Sequence, residues 1–118
     1  ATFQSIFKSL KKILQAHEEK LFIKKNDPGH YYAETQSHSW QGHRMFFAAA
    51  IIKKNYVSFH LMPLYVAPEL LKTIPPNLKR RMQGKACFNF TTPDPQLFQD
   101  LAKLTKAGLQ KYMTKKFL

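Results

Sequence analysis

The sequence predicts an α+β domain: an antiparallel meander sheet of about five strands, packed by an N-terminal and a C-terminal helix, with a short helical excursion before the last strand. Three observations lead there. Apolar residues recur at steps of three and four at both ends of the chain, alternate with polar ones in the middle, and are separated by Pro- and Gly-rich turn signals. An antiparallel sheet covered on one face by the terminal helices is the economical way to bury both kinds of stripe.

Each element follows in order. Phe3, Ile6, Phe7, Leu10, Ile13, Leu14, His17 and Leu21 form the stripe of a first helix, with Thr2 as its expected N-cap and an end expected near Lys20. Asn26-Asp27-Pro28-Gly29 is a turn, because Pro fixes φ and Gly reaches positive φ cheaply. Residues 21–25 and 30–35 therefore read as a hairpin. The apolar run 45–54, MFFAAAIIKK, reads as a central strand that turns at Lys53-Lys54-Asn55 into a second hairpin. In residues 56–62, Val57, Phe59 and Leu61 point to one face and Tyr56, Ser58 and His60 to the other. Pro63 is expected to stop that strand. Pro68 opens a short helical piece and residues 77–83 a second, ended by Gly84. Residues 86–90 form the last strand. Asp94 caps a closing helix with Pro95 at its first position and Leu97, Phe98, Leu101, Leu104, Leu109, Tyr112 and Met113 on its apolar side. Gly108 within it marks a bend or a close helix approach.

With 118 residues the chain suits a single domain spanning 1–118, large enough to bury roughly 65% of its unfolded surface. Its 44% hydrophobic content argues for a packed core. Cys87 is the lone cysteine, which excludes an intrachain disulfide and fits a reducing cytoplasm. No apolar run reaches the ~18 residues of a membrane span, so no membrane partner is expected, and no signal-peptide pattern appears. Ala1 reads as the residue left after removal of a methionine. No linker, repeat or low-complexity run divides the chain.

Nineteen Lys and Arg against seven acids give a formal charge of +12, which favours anionic partners. That positive field is diffuse, with one focus. Lys79, Arg80, Arg81 and Lys85 stand together with no acid nearby in sequence, an arrangement suited to binding phosphate or another anion. A phosphate loop is absent, since Gly84-Lys85 is followed by Ala86. On the polar face of the predicted sheet, Tyr56, Ser58, His60, Cys87 and Asn89 would line a pocket. A Cys87–His60 pair would suit thiol chemistry, but no cysteine-enzyme signature surrounds it. His30, His38 and His43 match no standard metal spacing. Tyr31, Tyr32, Trp40, Phe46, Tyr56, Phe88 and Phe90 lie among basic residues, as in sheets that bind single-stranded nucleic acid, although Phe88 and Phe90 alternate as core residues do.

The segment YVSFHLMPLY, a proline-started helix, LKRRMQGKACFNF and a proline-capped last helix together resemble the YdhG-like family of small bacterial domains, over residues 56–111. The resemblance implies an α+β fold with an antiparallel meander. Some members are described as frataxin-like iron chaperones, which implies a metal or metabolite carrier as the alternative function. Hard iron sites want carboxylates, and the seven acids here are scattered. The expectation is thus a cytoplasmic, non-enzymatic domain, with no cofactor and no metal, that binds an anionic small molecule or phosphate-bearing partner. Nucleic acid binding and a homodimer through the exposed sheet face are further expectations.

Overall fold

The computed structural model describes residues 2–38 and 41–117. The readings placed on Ala1 and Trp40 lie outside the described residues. Helix α1 spans Thr2–Gln15, so Thr2 opens the helix instead of flanking it, and a separate 3-10 turn covers Glu18–Lys20. The five strands are β1 Leu21–Asp27, β2 His30–Thr35, β3 Phe46–Ile52, β4 Val57–Leu61 and β5 Cys87–Phe90. They form one open antiparallel sheet in sequence order, each strand paired with the next. This is the predicted meander.

The excursion between β4 and β5 is more broken than its sequence suggests. A one-turn helix α2 (Pro63–Val66) follows β4 directly, because Pro63 sits at its first position. A 3-10 stretch at Pro68–Thr73 and a one-turn helix α3 (Pro76–Lys79) come next. The second helical piece therefore ends at Lys79, short of the expected Gln83. Beyond it the chain straightens. Met82 bridges Phe88, while the Asn89 N–H donates to the Arg81 carbonyl at 2.8 Å and the Gln83 N–H to the Cys87 carbonyl at 2.8 Å. This short segment thus borders β5 as an extra edge. Gly84, at φ +81, makes the turn back into β5.

The last helix, α4, runs Pro95–Thr114 and is capped as predicted, with the Asp94 carboxylate accepting the Leu97 N–H at 3.2 Å. Helices α1 and α4 pack on the same face of the sheet. There Ile6, Leu10 and Leu14 meet Tyr31, Ala50, Phe59 and Phe88, and Leu101, Leu109 and Tyr112 complete the core. Gly108 marks a close approach: a Cβ there would lie 2.8 Å from the Cβ of Pro63. The Tyr112 hydroxyl reaches past the core to donate to the Phe46 carbonyl at 2.7 Å. Among the described residues, no helix is long and apolar enough to cross a membrane. No described helix covers the opposite sheet face, whose composition is different.

Candidate functional site

Register decides which side chains share the open face. His60 stands opposite Cys87, and Ser58 opposite Asn89. Both pairs face away from Val57, Phe59 and Phe88, which are fully buried under the helices. The four polar residues form a connected group. Ser58 Oγ lies 3.1 Å from His60 Nε2 and 2.9 Å from Cys87 Sγ, and Cys87 Sγ lies 3.5 Å from Asn89 Oδ1. Cys87 and His60 themselves are 3.8 Å apart, so Ser58 stands between them as a bridge. Burial, and next the charge of Lys53, hold the His60 pKa below the ordinary histidine value. The Cys87 thiol donates to Asn89 Oδ1, so the Ser58 hydroxyl donates to the Cys87 sulfur and its oxygen accepts from Nε2–H of the neutral imidazole. Ser58 is only 1% exposed, which keeps its hydroxyl from acting as an accessible nucleophile.

Across β3, the face becomes aromatic and basic. Ala49, the small residue opposite His60, separates the polar group from Tyr32 on β2. Tyr32 stacks on Phe46 with ring centroids 4.7 Å apart. A bulge between Ile23 and Lys25 brings consecutive lysines to the same side, as bulges do. Lys25 pairs with Tyr32, while Lys24 sits 5.9 Å over the Tyr32 ring and 3.8 Å from Glu34. Lys24, Lys25, His30 and Tyr32 line a shallow depression of about 290 Å³. Beside it the Arg44 guanidinium packs 3.9 Å over Phe22. Among the described residues, the buried side-chain polar atoms without a hydrogen-bond partner are His30 Nε2 and Arg44 Nε, both on this part of the face. Burial and the nearby Lys25 charge hold the His30 pKa low as well.

The basic segment builds a second feature. Arg80 and Arg81, just past α3, line a cleft of about 190 Å³ with Asn77, Phe90, Thr91, Thr92, Asp94 and Leu97 at the start of α4. Arg80 Nη1 donates to Asn77 Oδ1, which holds its guanidinium at the rim. Lys79 and Lys85 are exposed and are not among the lining residues. Local sequence shows no acid near these arginines, but the fold supplies one in Asp94.

The structure therefore assembles four of the five predicted pocket residues into one hydrogen-bonded group. Tyr56 lies just before β4, outside that hydrogen-bonded group, its carbonyl accepting the Lys53 N–H at 2.8 Å. Tyr31, Phe88 and Phe90 are core residues, whereas Tyr32 and Phe46 belong to the open face. His38 and His43 are exposed, and among the described residues no three His, Cys, Asp or Glu side chains gather as metal ligands would. Sequence reading missed Phe22, Lys24, Lys25 and Arg44, because the bulge that brings the lysines together leaves no local signature. Compared with known proteins, the chain matches no family model, no curated protein and no solved structure.

Proposed function

We propose that the chain is a non-enzymatic binding domain for a small phosphate-bearing anion, held in the cleft between the end of α3 and the start of α4. One observation carries this reading: two consecutive arginines face the N-terminal turn of a 20-residue helix across a cleft of about 190 Å³. Guanidinium groups match phosphate oxygens in pairs, and a helix start adds partial positive charge. Few backbone donors remain in that turn. Pro95 has no N–H and the Leu97 N–H is taken by Asp94, so the guanidiniums must supply most of the binding. The Asp94 carboxylate opposes an anion, but it is outnumbered two to one by the arginines. The net charge of +12 adds long-range steering. A single reduced cysteine suits a cytoplasmic setting for such a domain, and the YdhG-like resemblance of residues 56–111 is compatible with it.

Calorimetric titration with inorganic phosphate and pyrophosphate tests the reading. One equivalent should bind, more weakly as salt rises. The Arg80→Ala/Arg81→Ala double variant should lose at least about tenfold in affinity, since hydrogen bonds to charged groups contribute about 1.5–3 kcal/mol each. Unchanged affinity in that folded variant would discard the cleft as the site. Stoichiometric ferrous iron binding with no phosphate binding would favour the carrier alternative instead.

A further inference from the structure

We propose that the open face of the sheet is a platform for single-stranded nucleic acid, centred on Tyr32 and Phe46 and independent of the arginine cleft. A single strand offers two things together, a line of phosphates and unpaired base faces, and a binding surface must answer both. This face does. Tyr32 on β2 and Phe46 on the adjacent β3 form a stacked, half-buried pair, and Phe22 lies on β1, 37% exposed, under the Arg44 guanidinium. Lys24 and Lys25 flank the Tyr32 ring and Lys53 lies near His30, against Glu34, already engaged by Lys24, and Asp27 at the hairpin end. His30 Nε2 and Arg44 Nε, buried and unpartnered beneath this part of the face, are an acceptor or donor and a donor that the fold itself leaves unused.

Charge also selects among occupants. A second copy of the chain would bring the same positive face and the same overall +12 charge, so self-pairing here is repulsive. An acidic peptide would satisfy the lysines but has no flat groups for the rings. Duplex nucleic acid has its base faces hidden, leaving only its phosphates to bind. Unpaired bases are the chemistry that uses rings and cations together.

The test is fluorescence anisotropy with a labelled oligothymidylate of about twelve nucleotides, a length one such domain can cover. A duplex of the same length carries twice the phosphates, so binding through charge alone would favour the duplex. The single strand should instead bind more tightly at about 150 mM salt. Tyr32→Ala should weaken it by about tenfold or more while Tyr32→Phe retains it, in line with the strength of base–aromatic stacking. Arg80→Ala/Arg81→Ala should leave the preference for single strands intact, and Tyr32→Ala should leave phosphate binding intact, which separates failure here from failure of the cleft. Duplex binding as tight as single-strand binding, or equal binding of polyglutamate, would overturn the proposal. Should Tyr32→Ala not fold by circular dichroism, photocross-linking of an iodouracil oligonucleotide to the wild-type protein gives the answer. Adducts on residues 22–34 and 44–46 support the platform, and adducts confined to α1, α4 or Arg80 and Arg81 refute it.

Discussion

The two faces of the sheet are built from the same strands by alternation, yet they are chemically opposite. Under α1 and α4, Phe59, Phe88 and Phe90 are sealed from water and pack against helix side chains. One residue along each strand, Ser58, His60, Cys87 and Asn89 face outward and bond to one another. The covered face obtains its stability from apolar burial, whereas the open face satisfies its polar atoms locally only over β4 and β5 and carries rings, lysines and the unpartnered His30 Nε2 and Arg44 Nε over β1 to β3. The contrast teaches that the stability of this fold and its binding capacity are separable by residue parity. Adjacent positions on one strand should respond very differently to substitution.

The largest expected effect tests that parity directly. Phe59→Ala should cost about 3–5 kcal/mol in urea unfolding, because a fully buried ring leaves a cavity beneath two helices. Its neighbour on the other face, His60→Ala, should cost about 1 kcal/mol, the value of one hydrogen bond to Ser58. Similar costs for both would mean that the open face is as tightly packed as the covered one.

A smaller effect sharpens the covered side. Gly108→Ala would ordinarily stabilise a helix by about 1 kcal/mol. Here the new methyl would sit 2.8 and 2.9 Å from the side chain of buried Pro63, so the packing of α2 on α4 must open. A net loss of about 1–3 kcal/mol is expected, as for other overpacked cores. Gln110→Ala, on the exposed side of the same helix, should stay within about 0.5 kcal/mol. A stabilised Gly108→Ala protein would show that the two helices are not held together at Pro63.

Most of the covered face was legible in the sequence, and much less of the open one. Val57, Phe59 and Leu61 announce their face by strict alternation, and Pro95 with Asp94 announces the start of α4. The polar group was legible too, since Ser58, His60, Cys87 and Asn89 share the parity opposite to the core. Its internal arrangement was not. That Ser58 bridges the histidine and the thiol depends on the β4–β5 register, which sequence does not print. Two further features were hidden for related reasons. The bulge at Ile23/Lys25 moves lysines to the side of Tyr32, and the return of the chain at Asp94 puts an acid beside Arg80 and Arg81. Both are consequences of long-range pairing, and neither follows from local composition.

The smallest effect concerns protons and bears on how dry the centre of the open face is. His60, His30 and His17 all have pKa values below 6.5, each chiefly because burial disfavours the charged ring. In the unfolded chain these histidines take up protons as pH falls through about 6.5, while the folded chain resists doing so. The unfolded state then binds more protons, so stability is full above that value and declines below it. Glu69 acts in the same direction only at lower pH, where its carboxylate, held down by its own backbone and by Lys111, begins to protonate. A window from pH 7.5 to about 5.5 therefore isolates the histidines. Thermal unfolding should show a falling midpoint across it, and His60→Gln should flatten part of that fall. Growing net positive charge also destabilises a chain already at +12, but that contribution persists in the variant and cancels in the comparison. An unaltered slope in His60→Gln would mean that water reaches the ring freely. Ser58 and Cys87 would then be bonded across a wet surface, and the open face would have no desolvated centre to distinguish it from ordinary exposed sheet.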